Sequence, residues 1–210
     1  MKKKVLLIGD SIRLGYQEQV RALLGSGVEV YAPEENCRYA KYALWGMHRW
    51  VDSFGNPKFD AVHFNAGIWD LHRCTADGEI FTPIREYADT VRRLGLQMKS
   101  YTENVIFANT IPANRKLDDS LNAFNPFINT DPGYKKVHLT VGMEEWNGDV
   151  RRYNAAAEVE MEKLHIPVND LYSPIAVDTD RYISADGIHA SAEGYQLLAK
   201  LVAQRIKEIL

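Results

Sequence analysis

Lys4-Val5-Leu6-Leu7-Ile8, closed by Gly9-Asp10-Ser11, is the stretch on which the reading of this chain turns. A continuous apolar run bounded by glycine is the pattern of a parallel strand buried on both faces. Ser11 then falls just past that strand's carboxyl end. At the far end of the chain, Asp186-Gly187-Ile188-His189 precedes the last helix-like segment. A serine at one end, with an aspartate and a histidine three apart at the other, supplies every group of a Ser-His-Asp hydrolase.

Working outward from the first run, strand-like and helix-like segments alternate. Helical spacing is read over Gln17–Leu24, Tyr42–Val51, Pro83–Lys99, Glu144–Leu164 and Ala192–Ile209. Strands are read at Val28–Tyr31, Phe59–Phe64, Asn104–Ala108 and Ile166-Pro167-Val168. In the second helix, Leu44, Trp45 and Trp50 are expected on the inner face. Such alternation implies α/β architecture: a three-layer α/β/α sandwich around a central, mostly parallel five-stranded sheet. Reactive groups in such sheets collect beyond the carboxyl ends of the strands. Ser11 lies there after the first strand, and Asn65 to Asp70 after the third. One domain over 1–210 is expected, with an irregular excursion at 113–142 rich in Asn, Asp and Pro. Val137, Leu139 and Val141 alternate within it, as in a short extra strand. A surface excursion, a subunit contact and a lid over the site all fit it.

Composition narrows the partners. The chain has 210 residues, 46% of them hydrophobic, and a formal net charge of -3. No basic stripe stands out, so no nucleic-acid partner is expected. No stretch is long enough to span a membrane. Two cysteines, Cys37 and Cys74, make no disulfide framework, and a cytoplasmic location follows as the expectation. Self-association into a homo-oligomer stays open. His48, His63, His72, His138 and His165 lack zinc-ligand spacing, so no metal and no cofactor are expected. The loop Gly9 to Gly15 is neither a dinucleotide fingerprint nor a phosphate loop with its lysine.

Gly9-Asp10-Ser11-Ile12 resembles the first sequence block of the GDSL/SGNH hydrolases, and Asp186-x-x-His189 resembles their last. The wording from Asp186 through Gly194-Tyr195 is especially close. The resemblance implies a flavodoxin-like fold and a serine carboxylic ester hydrolase, with Ser11, Asp186 and His189 as its triad. It also implies an oxyanion hole. The backbone N–H of Ser11 is one donor, and Ala40 stands about where the family's glycine is expected. Gly46 is the alternative there. The family's third block carries an asparagine where this chain has Trp69, in Gly67-Ile68-Trp69-Asp70; Asn65 could supply an amide from a neighbouring position.

Each residue has a plainer role beside its chemical one. Ser11 could simply cap a helix, and Asp186-Gly187 could be only a turn. Asp10 is expected to shape the turn and Asp70 to brace its loop. Arg13 could reach a charged group on the substrate or pair on the surface. Trp69 suits loop packing as well as a substrate wall. Trp45, Trp69, Trp146, Tyr16, Tyr39 and Tyr134 stand in or near loops able to flank the site. Crowding at Trp69 favours a small-molecule ester with a short acyl group, acetyl first, on a carbohydrate or similar polar alcohol. A lipase or thioesterase, and a carbohydrate-binding module without chemistry, are the alternatives.

Overall fold

A computed structural model describes residues 2–73, 75, 77–114 and 142–210. Cys74, Tyr134 and the alternation at Val137, Leu139 and Val141 lie outside these residues, as does the excursion except at its ends. Among the described residues five strands form one sheet: β1 (Lys3–Ile8), β2 (Val28–Tyr31), β3 (Ala61–Asn65), β4 (Val105–Ala108) and β5 (Val168–Asn169). Their order is β2-β1-β3-β4-β5, and every pairing is parallel. The described helices are α1 (Ser11–Leu24), α2 (Ala40–Ser53), α3 (Ile84–Lys99), α4 (Met143–Lys163), α5 (Tyr172–Ala176), α6 (Thr179–Tyr182) and α7 (Ala192–Ile209). None of them is long and apolar enough to cross a membrane.

Side chains alternate across the sheet, as period-two geometry requires. Leu6, Ile8, Val62, Phe64, Val105 and Phe107 share one core with the inner faces of α2, α3 and α4. Val5, Leu7, Ala61, Ile106 and Ala108 share the other with α1 and α7. The three central strands are buried on both faces almost throughout, which explains why they read as unbroken apolar runs rather than alternating ones.

Three features differ from expectation. Helix α1 starts at Ser11 rather than Gln17, because Asp10 caps it and Ile12, Tyr16, Val20 and Leu24 all turn inward. Gly15 interrupts that stripe in the sequence but not in space. In α2 the inner face is Ala43, Met47, Trp50 and Val51, whereas Trp45 is 60% exposed. Helices α5 and α6 occupy a stretch with no readable helical period, since each is only one turn or so long.

Strand order reverses direction between β1 and β3: β2 lies on one side of β1, and β3, β4 and β5 follow on the other. The crevice at such a switch point is where open α/β sheets bind ligands. Ser11 and Asn65 stand at the carboxyl ends of these two strands.

Candidate active site

Ser11 is the first residue of α1. The Asp10 carboxylate accepts the Ile12 N–H at 2.9 Å and so caps the helix. The Ser11 N–H, at the first helical position, has no intrahelical acceptor and points with the positive end of the helix.

His189 arrives from a closed loop ahead of α7. Ile183 and Ala190 form an antiparallel bridge, the Ser184 N–H donates to the His189 carbonyl at 2.8 Å, and Gly187 turns the chain at φ 77°. Ser191 caps α7 by accepting the Gly194 N–H. Within the loop, Asp186 Oδ1 accepts from the N–H groups of Ile188 and His189, each at 2.9 Å, and from the Ser184 hydroxyl at 2.8 Å. Its second oxygen lies 2.7 Å from His189 Nδ1. A carboxylate can only accept, so Nδ1 carries the proton and Nε2 is left as the acceptor. Nε2 stands 2.9 Å from Ser11 Oγ. The structure thus brings Ser11, His189 and Asp186 into one hydrogen-bonded line.

Electrostatics follow from these contacts. Burial alone would raise Asp186, but the bonds from the His189 ring and from the two backbone N–H groups outweigh it and hold the carboxyl well below its usual range. The same carboxylate raises His189 above 6.5, against a smaller opposing effect of burial.

The remaining assignments change. Ala40 is not a free oxyanion donor: its N–H is given to Asp70 Oδ2 at 3.0 Å. Asn65 is 8% exposed and engaged behind the nucleophile turn, with the Tyr16 hydroxyl at 3.5 Å from its Oδ1 and a bond to Asp10. A Cβ at Gly9 would fall 1.9 Å from that Oδ1, so the glycine is what lets the turn settle onto Asn65. Gly46 lies inside α2, where a side chain would strike Trp50. Arg13 neither reaches a substrate nor sits on the surface. It is fully buried, donating to the carbonyls of Gly9 (3.2 Å), Pro33 (2.8 Å) and Glu35 (2.7 Å). One guanidinium therefore ties the β1–α1 turn to the β2–α2 loop. Asp10 is buried at the cap, not open to substrate. Trp69 is half-buried and stacks on His72 at 5.3 Å, a packing role. Tyr16 and Trp146 belong to the interior.

Asp70 does brace its loop, more firmly than the sequence implied. It is completely buried, and burial pushes its carboxyl up to about 7, with the bonds from the Ala40 N–H and the Thr82 side chain offsetting only part of the rise. Two asparagines of α4 went unnoticed in the sequence. Asn154 gives its amide to the Thr110 carbonyl and accepts the Thr110 N–H, both at 2.8 Å; Asn147 does the same with Ala113. Seven residues apart, they lie on one helix face. That spacing was the available signal.

No family model matches the chain, and no curated protein matches it in sequence. Solved structures do match it. A lipase/acylhydrolase from Enterococcus faecalis superposes with a TM-score of 0.71 at 21% identity, over 98% of this chain and 96% of that one. A GDSL-like lipase from Bacteroides thetaiotaomicron gives 0.70 at 18%, over 99% and 89%. The chain shares the fold of these two structures. An acetylxylan esterase from Geobacillus stearothermophilus also superposes, with a TM-score of 0.70 at 18% identity over 97% of this chain and 94% of that one. The α/β architecture expected from the alternation is the one observed, and among the described residues every strand pairing is parallel.

Proposed function

We propose that the protein is a serine esterase that removes a small acyl group, acetyl first, from a carbohydrate or a similar polar alcohol. The observation that carries this reading is the line Ser11 Oγ–His189 Nε2–Asp186, at 2.9 and 2.7 Å. Ser11 Oγ attacks the ester carbonyl carbon while His189 Nε2 takes its proton. Asp186 holds the imidazolium that results. Negative charge collects on the carbonyl oxygen, within range of the Ser11 N–H at the start of α1. As the intermediate collapses, His189 gives the proton to the departing alkoxide and the acyl group stays on Ser11. Water, deprotonated by His189, then attacks the acyl-enzyme and frees the acid.

The acetylxylan esterase with the same fold supports the choice of a short acyl group. The GDSL-like lipase of that fold supports a longer acyl group as the second reading. A p-nitrophenyl ester series from acetate to palmitate, run on wild type and Ser11→Ala, tests both. We expect the acetate to be the best substrate and Ser11→Ala to lose about 10⁴-fold or more in turnover with its circular dichroism unchanged. Preference for the long chains would favour the lipase, and equal turnover in the variant would remove Ser11 from the mechanism.

A further inference from the structure

Beside the nucleophile turn, four aromatic rings form a continuous run on the surface. Phe81 lies edge-on to Tyr39 with ring centroids 5.2 Å apart, Tyr39 meets Tyr42 at 6.0 Å, and Tyr42 meets Trp45 at 5.8 Å. Tyr39, Tyr42 and Trp45 are three residues apart, which places them along one side of α2. This is not the helix's core face, which is Ala43, Met47, Trp50 and Val51. Phe81 is 41% exposed and Trp45 60%, and the two tyrosines are half-buried.

The near end of the run is anchored at the candidate active site. The Cys37 N–H donates to the Gly9 carbonyl at 3.2 Å, and the Ala40 N–H to Asp70 at 3.0 Å. Tyr39 lies between these two ties, so its end of the run is held next to the turn that carries Ser11. Trp45 stands further along α2. Two guanidinium groups lie against the rings: Arg38 is 4.9 Å from the Tyr42 centroid and Arg49 is 5.4 Å from that of Trp45. Arg49 is paired with Glu35 at 2.6 Å. Arg38 is exposed and has no ion-pair partner among the described residues.

We propose that Phe81, Tyr39, Tyr42 and Trp45, with Arg38 at their edge, form a saccharide subsite that holds the alcohol part of the substrate as a chain of pyranose units leading away from Ser11. The proposal rests on the esterase reading and names where the leaving alcohol is bound. A pyranose ring offers an apolar C–H face to an aromatic ring and hydroxyl oxygens around its rim. The strip supplies both complements: rings for the faces, and the five N–H donors of a guanidinium for the rim. An acyl chain would need an aliphatic channel closed to water. This strip is open and aromatic, with Arg38 and Lys41 beside it.

Three measurements test the proposal together. The first compares kcat/KM of wild type, Trp45→Ala and Trp45→Phe on an acetylated β-linked tetrasaccharide and on p-nitrophenyl acetate. In Trp45→Ala the ratio of the two values falls about tenfold, through KM for the tetrasaccharide. In Trp45→Phe most of it returns. The second is an NMR titration of Ser11→Ala protein with the deacetylated tetrasaccharide, in which the Trp45 indole N–H signal shifts saturably. The third is circular dichroism of each variant. An unchanged ratio in folded Trp45→Ala, or an equal loss on both substrates, overturns the subsite; so does an indole signal that ignores the sugar. If wild type cleaves no ester at all, the esterase reading fails, and the titration still decides whether the strip binds saccharide.

Discussion

Asp186 divides its work between two oxygens. Oδ1 accepts three donors and shapes the loop, while Oδ2 faces His189. Raised by that carboxylate, His189 stays protonated to a pH above its ordinary 6.5, and the proposed base is competent only when neutral. Turnover should therefore rise with pH along a limb centred above 6.5. Asp186→Asn removes the charge that raises the imidazole. A pH–rate profile on p-nitrophenyl acetate should show that limb displaced to lower pH, with kcat down by about 10⁴-fold because the ring tautomer is no longer enforced. A limb that stays in place would separate Asp186 from His189. At this scale the sequence was most legible where chemistry demands particular residue types in a local pattern, as in Gly9-Asp10-Ser11 and Asp186-x-x-His189. It was least legible at Ala40, Asn65 and Arg13. What their N–H groups, amide and guanidinium do is decided by Asp70, Tyr16 and the Pro33 and Glu35 carbonyls, which only the fold brings near.

Two helices carry the proposed nucleophile and base. Ser11 begins α1, and His189 lies three residues before α7. Where the two helices pack, Gly15 faces the Tyr195 ring. A Cβ at position 15 would lie 2.1 Å from the Tyr195 ring. Gly15→Ala is thus expected to push the first turn of α7 away from α1. Overpacking of this kind costs about 1–3 kcal/mol. The loss should be seen as a lower urea midpoint, with a fall in kcat larger than any change in KM. Unchanged kcat would mean that the His189 loop is positioned independently of α7. A second support exists for that loop: the Asn114 N–H donates to the Gly187 carbonyl at 3.0 Å, next to the Ala113 backbone that Asn147 clamps. The long helices and central strands were readable because burial imposes a period on many consecutive residues. The packing of Gly15 against Tyr195 was not readable, because helix-to-helix distance leaves no local pattern.

Across the whole molecule, burial shifts His63 and Asp70 in opposite senses for stability. His63, in the central strand β3, is driven down to about 3 by burial. Unfolded chains bind a proton at this residue below 6.5 and the native state does not, so it lowers stability as pH falls from 6.5 towards 3. Asp70 is raised from 3.8 to about 7. Above 3.8 the unfolded chain loses this proton while the native state keeps it, so stability falls as pH rises from 3.8 to 7 and then levels off. Asp70→Asn keeps an acceptor for the Ala40 N–H and removes the titration. Its urea midpoint should drop less between pH 5 and pH 8 than that of wild type, other groups cancelling in the comparison. Parallel changes would mean that Asp70 is not held as described.

The same sheet closes a sequence separation of 178 residues between Ser11 and His189. That closure is the centre of the account. The direct test is mass spectrometry of the folded protein after treatment with a fluorophosphonate. One adduct should form on the peptide containing Ser11, at a rate that falls by orders of magnitude in His189→Ala. Labelling at another residue, or an equal rate without the imidazole, would contradict it.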